Sequence, residues 1–255
     1  MGAQDASRAD AALLDRFVLA ARDAGARRVR VADTVGIWNP HRAWRCFQRL
    51  RAIGGSRLSL EFHGHNDLGM ATANTISAVE GGADAVSVTV NGLGERAGNA
   101  PLEEVAMALR HTLGADSGID TVRLSGLSEL VANRACRPIH RAKPIVGADV
   151  FRHESGIHTA ALLKNPIAYQ PFPCEDTGRT SEPFVIGKHS GSAGLRWLLA
   201  AGGISVPASL YPEIVAAVRR RARARKDAVG PQELAAIARQ LTSERKPDRH
   251  GDIRT

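Results

Sequence analysis

The feature that most constrains this chain is an alternation. RRVRVADT (27–34), LSLEFHGH (58–65) and DAVSVTV (84–90) read as short strands. PHRAWRCFQRLRAIGG (40–55), LGMATANTISAVEGG (68–82) and PLEEVAMALRHTLG (101–114) read as helices, opened by Pro40 and Pro101 and stopped by glycine. An amphipathic run near 10–24 precedes the first strand, and GAQD (2–5) is a possible strand remnant before it. Strands separated by helices at intervals of about 30 residues call for βαβ units and a parallel sheet. Beyond about residue 120 the strand signal fades and helical segments take over.

Side chains alternate faces along a strand. Leu58, Leu60 and Phe62 therefore share one side, and Ser59, Glu61, His63 and His65 the other. In the first run Val29 and Val31 oppose Arg30, Ala32 and Thr34; in the third, Val86, Val88 and Val90 oppose Ser87, Thr89 and Asn91. One apolar face per strand, with polar groups gathering toward the C-terminal end, is the pattern of a (β/α)8 barrel, in which chemistry collects at the C-terminal mouth. A doubly wound sheet is the alternative, but its strands are usually apolar on both faces.

His63 and His65 thus point the same way from one strand end. Two imidazoles so placed can share a divalent ion and leave positions for an amide, a carboxylate or substrate; two hydrogen-bonded, metal-free histidines are the bland alternative. Asn66 and Asp67 follow at once, as second-layer acceptors or a helix cap, and VNGLGERAGNA (90–100) brings Glu95, Arg96 and Asn99 to the same mouth. A glycine-rich turn after a barrel strand can equally bind phosphate.

Composition excludes some classes. No run approaches the ~18 apolar residues of a membrane span, and the first residues lack the basic and apolar regions of a secretory leader. Three cysteines (Cys46, Cys136, Cys174), far apart and without a CxxC pair, suit a reducing cytoplasm and read as packing residues. The net charge of +8 is concentrated late, in Arg219, Arg220, Arg221, Arg223, Arg225 and Lys226. A solvated helix face is the simple account of that cluster, and attraction of an anionic cofactor the sharper one. Aromatic residues make up only 4% and do not interleave with the basic ones, so nucleic acid is not an expected partner.

HGHNDLGMATANT followed by VNGLGERAGNA resembles a signature of the metal-dependent Claisen-condensing synthases, the homocitrate and isopropylmalate synthase family with a TIM-barrel catalytic domain. Downstream, HESGIHTAALLKNPIAYQPF and FVIGKHSG resemble the C-terminal region of the same enzymes, and LLKNP with Tyr169 looks nearest to homocitrate synthases of the nitrogenase-cofactor type. The resemblance implies a partial barrel over 1–120 (about strands 5–8), a linker and helical subdomain with the SGIH motif over 121–185, and a C-terminal helical subdomain over 186–255. It implies acetyl-CoA and 2-oxoglutarate as substrates and a divalent ion (Mg, Mn or Zn) held by His63, His65 and Asn99. His63 would thereby also meet the substrate, and Thr34 would hold the carboxylate of the 2-oxo acid. His158 and Tyr169 would form a catalytic pair that the helical subdomain usually lends to a neighbouring subunit in a homodimer.

Three departures from the family pattern qualify these expectations. The first barrel half, with its Asp-Arg-Glu signature and a carboxylate ligand, is not in the sequence. Gln4 stands where relatives commonly have glutamate, and Ala160 where an aspartate often follows the histidine by two. The chain is therefore expected to be inactive alone and to be completed by a separate polypeptide carrying the N-terminal half, or else to be a non-catalytic remnant or interaction module. Isopropylmalate-type activity stays open.

Overall fold

The computed structural model describes residues 1–165, 167–180 and 185–244. The chain forms two compact units, Met1–Gly147 and Ala148–Thr255.

The first unit is built on four parallel strands, β1 (Gly2–Ala3), β2 (Arg28–Asp33), β3 (Ser59–Gly64) and β4 (Ala85–Ser87), in the order β1-β2-β3-β4. Sequential order without a reversal is the strand arrangement of a barrel segment; a doubly wound sheet reverses at a switch point. Between and after the strands lie α1 (Ala11–Asp23), α2 (Pro40–Gly54), α3 (Ala71–Glu80), α4 (Leu102–Leu113) and α5 (Leu124–Ala135). Local signals set their ends. The Asp10 carboxylate accepts from the N–H groups of Ala12 and Leu13, and Asn39 caps α2 ahead of Pro40. Gly55 leaves α2 at φ +70°, a conformation that only glycine takes without strain.

The predicted strand faces are those observed. Val29, Val31, Leu58, Leu60 and Phe62 are buried under Val18, Phe47 and Leu50 of the helices. Phe62 meets Trp38 in a stack at 6.0 Å and Phe47 edge-on at 5.7 Å, so β3 is clamped from its apolar side. Ser59, Glu61 and His63 occupy the opposite face, half-buried.

Two expectations change. The strand predicted to run through Val90 ends at Ser87, and Val90–Gly92 form a 3-10 turn with Asn91 at φ +58°. The buried Glu103 carboxylate accepts from Asn91 N–H at 3.0 Å, and Asn91 Nδ2 donates to Ser128 O at 2.9 Å, so contacts from α4 and α5 fix the turn instead of a strand ladder. Cys46 and Cys174 are packing residues as expected, whereas Cys136 is exposed, ending α5 in the left-handed region at φ +51°.

The second unit is helical: α6 (Gly156–Leu162), α7 (Ser192–Ala201), α8 (Tyr211–Arg225) and α9 (Pro231–Glu244). Its core unites Ile186, Leu195, Leu199, Ile214, Val218 and Leu234. Half of the basic cluster on α8 is engaged within this unit. Arg219 donates to Ser190 O, and Arg221 and Arg225 both reach Glu233. No helix among the described residues is long and apolar enough to cross a membrane.

Candidate metal and 2-oxo acid site

His63 is the penultimate residue of β3, and His65 follows just beyond the strand. The rings stand 5.0 Å apart between centroids, at 87° to one another. Together with Thr34, Ala32, Arg30, Gly2, Ala3 and Gln4 they line a cavity of about 240 Å³ on the polar face of the sheet.

Asn99 reaches this place through the backbone. After the 3-10 turn the chain folds back, so that Asn66 N–H donates to Gly98 O (2.9 Å) and Ala100 N–H to Gly64 O (3.1 Å). The result is an antiparallel bridge between His65 and Asn99. The return needs glycine at position 98, whose φ is +86° and where any Cβ would collide with Gly92 O.

A second tie closes the mouth from the other side. Arg96 donates through Nε to Asp67 Oδ1 (2.7 Å) and through Nη2 to Thr34 O (2.7 Å), joining the 94–98 loop to the ends of β2 and β3. The guanidinium beside Asp67 holds that carboxyl below the usual carboxylate range. Of the two residues after HGH, Asn66 serves the start of α3, whose N-cap position is Met70: its Oδ1 accepts from Ala71 N–H. Gly36, at φ +63°, lies so close that a Cβ there would stand 2.7 Å from Asp67 Oδ2 and 2.9 Å from His65 O.

Polar atoms left without partners indicate what this geometry can do. His65 Nδ1 and Asn99 Oδ1 are buried and bond to nothing among the described residues, an arrangement that costs about 1–3 kcal/mol per group unless something binds there. Asn99 is only 7% exposed, and its Nδ2 donates to Leu93 O at 2.9 Å, which fixes the amide with its oxygen free. His63 Nδ1 lies 3.3 Å from Ser87 O; a carbonyl can only accept, so Nδ1 carries the proton and Nε2 keeps its lone pair. Burial pushes the His63 pKa down; the Ser87 bond opposes this, and the His65 and Arg30 charges add to it. The imidazole is thus held neutral, the form that binds a metal.

Two imidazoles and, on the residue bridged to His65, an unpartnered amide oxygen are donor types that a divalent ion takes. The ring separation is within what one ion at ~2.1 Å from a nitrogen of each ring can span. Among the described residues no group of three or more His, Cys, Asp or Glu side chains is placed to hold an ion, so these residues offer an uncharged set without a carboxylate.

Thr34 Oγ1 accepts from Asp5 N–H at 2.8 Å, leaving its own proton to donate toward the cavity. His63, His65, Thr34 and Asn99 are therefore brought together. His158 and Tyr169 lie in the second unit, stacked on each other at 4.1 Å between centroids, with His153 at 6.0 Å from His158. Arg30 was not singled out from the sequence, although its parity with Thr34 on β2 places it on the same face.

The chain is 49% identical over 196 residues to a protein of Caldanaerobacter subterraneus subsp. tengcongensis named 2-isopropylmalate synthase 2, covering 76% of this chain and 50% of that one. To the homocitrate synthase of Frankia alni it is 49% identical over 201 residues, covering 78% and 56%. To homocitrate synthase 1 of Nostoc sp. it is 42% identical over 234 residues, covering 92% and 61%. The chain thus spans between half and about three-fifths of the length of these relatives. A profile described as homocitrate synthase post-HMGL domain-like matches residues 145–226. The HMGL-like profile matches residues 1–131, just over half of the chain and the whole of the four-stranded sheet, and the chain belongs to the HMGL-like family.

Proposed function

We propose that this chain contributes the C-terminal half of the catalytic site of a homocitrate synthase, which joins acetyl-CoA to 2-oxoglutarate with water to give homocitrate and CoA. The observation that carries the reading is the meeting of His63, His65 and Thr34 in one cavity, with Asn99 bridged to His65 and a buried polar atom without a partner among the described residues on each bridge residue. Family membership and the names of the relatives support it. The LLKNP wording with Tyr169 supports the nitrogenase-cofactor type.

In this reading His63, His65 and Asn99 hold a divalent ion (Mg, Mn or Zn), which when bound polarises the oxo group as a Lewis acid. The Thr34 hydroxyl donates to the carboxylate of the 2-oxo acid and orients it. His158, stacked on the Tyr169 ring and lent by a neighbouring copy, would move a proton. A methyl proton of acetyl-CoA is removed to a base, and the carbanionic carbon bonds to the oxo carbon while the C=O pair goes to oxygen, which takes up a proton to become the hydroxyl. Water then adds to the thioester carbonyl and breaks its C–S bond, leaving a carboxylate and CoA as the thiol. The remaining barrel strands and an acidic ligand come from outside these 255 residues, on a separate polypeptide or on a preceding part of a longer chain.

Co-expression with a polypeptide carrying the first barrel half, followed by an assay of CoA release, tests the reading. Release that depends on 2-oxoglutarate, and falls at least about 100-fold in His63→Ala, is expected. A complex that forms but releases CoA with no 2-oxo acid would leave the chain without this function. Preference for 2-oxoisovalerate would make it an isopropylmalate synthase, the activity named for the Caldanaerobacter relative.

A further inference from the structure

Arg30 lies on β2 with its side chain on the cavity face, and pairs in register with Glu61, while Ala32 pairs with His63. It is therefore two residues, roughly 6.6 Å, farther from the barrel mouth than the imidazoles. Glu61, whose side chain is 13% exposed, is already bonded by Arg28 Nη1 at 3.0 Å. Arg30 approaches the same carboxylate through Nε at 3.5 Å, and its side chain makes no hydrogen bond among the described residues. Two guanidinium groups thus face one carboxylate. One positive charge is left over, and the terminal nitrogens of Arg30, whose side chain is half-exposed, donate to nothing among the described residues.

We propose that Arg30 receives the second carboxylate of a 2-oxo dicarboxylic acid whose oxo end lies level with His63 and His65, and that it selects such acids over monocarboxylic ones. This rests on the reading of the cavity as the 2-oxoglutarate site of the proposed function and adds the residue that recognises the far carboxylate. The spacing agrees. From the oxo carbon to the far carboxylate of a five-carbon 2-oxo dicarboxylate, three C–C bonds of about 1.5 Å extend roughly 4 Å, the C–O bond adds about 1.2 Å and a hydrogen bond about 2.9 Å, a reach of roughly 8 Å that covers the two-residue step to Arg30. The guanidinium fork matches a carboxylate through two parallel bonds. A branched monocarboxylic acid of the same size would place methyl groups against that fork and leave its charge unanswered.

The test uses the protein with its barrel complete, measuring CoA release and equilibrium binding with 2-oxoglutarate and 2-oxoisovalerate. Arg30→Met is expected to lower kcat/KM and affinity for 2-oxoglutarate by about 100-fold or more, and to change the values for 2-oxoisovalerate by less than about threefold. Arg30→Lys, which keeps the charge without the fork, is expected to lose about tenfold on the dicarboxylic acid. Glu61→Gln, which removes the competing carboxylate, is expected to tighten 2-oxoglutarate. Equal losses on both acids in Arg30→Met, or weaker 2-oxoglutarate binding in Glu61→Gln, would show that Arg30 serves the sheet as an ion-pair partner and overturn the proposal. Release with neither acid in the parent protein would instead remove the underlying function; release with 2-oxoisovalerate alone would replace it with an isopropylmalate-type activity and overturn the proposal with it; release with 2-oxoglutarate keeps it and leaves only Arg30 at issue.

Discussion

Gly94→Ala probes the site through a single methyl group. Gly94 is exposed and outside the left-handed region, so alanine costs nothing in the backbone there. Its Cβ, however, would point at the Asn99 amide, 3.0 Å from Cγ and closer still to Nδ2. Relief to an ordinary separation of about 3.5 Å requires the amide to swing by about 1 Å, which breaks the 2.9 Å bond from Nδ2 to Leu93 O and redirects Oδ1. The lost bond is worth about 1 kcal/mol, and up to about 3 kcal/mol if the buried amide finds no new partner. For a unit of this size that lowers Tm by roughly 3–10 °C. If Asn99 Oδ1 is a metal ligand, affinity for Mn(II) falls at least about tenfold, and Asn99→Ala falls as far. A Tm drop with unchanged Mn(II) affinity in both variants would refute the assignment of Asn99. No change in either quantity would mean that the 94–98 loop yields, and that the amide is not held as argued.

Other expectations follow from the same contacts. Lys143 lies 3.0 Å from the buried Glu103 and 2.9 Å from Glu104. Burial works against its charge, but the bonds to Glu104 and Glu103 win and raise its pKa above the ordinary 10.5. A raised lysine pKa stabilises the fold below the unfolded value, and that contribution is lost as pH climbs through the folded value. Denaturant titrations should therefore show stability from this group intact at pH 7–9 and declining above about 10.5, a decline absent in Lys143→Met. That variant should lose about 3–5 kcal/mol at neutral pH, since Glu103 stays buried without its cation; a loss below about 1 kcal/mol would contradict the account. Burial pushes the Cys46 thiol up to about 11, while Cys136 is exposed. A thiol reagent at pH 8 should label Cys136 within minutes and leave Cys46 intact until the chain unfolds; the reverse order would be inconsistent with the packing described.

Much of this was legible in the sequence because it is local. Strand parity put His63 and His65 on one face and Leu58, Leu60 and Phe62 on the other, and Pro40 and Gly55 marked the ends of α2. The third strand was overextended because Ser87-Val88-Thr89-Val90 alternates as a strand does, whereas the carboxylate of Glu103 and the carbonyl of Ser128, 12 and 37 residues from Asn91, hold a turn there. The convergence of Asn99 on His65 is equally non-local. It depends on the chain reversal at Gly98 and on bonds to Gly64 and Asn66, so motif spacing could indicate the residue but not the bridge. Arg30 had a signal in its parity with Thr34. Its spare charge emerges only from the register, which gives Glu61 to two arginines at once.

The central claim, that His63 and His65 hold one ion at this mouth, is tested most directly by counting nitrogens. Pulsed EPR of the completed protein loaded with Mn(II) is predicted to show couplings from two imidazole nitrogens, falling to one in His63→Ala and in His65→Ala. A spectrum with no imidazole coupling, or one that neither substitution changes, would contradict it.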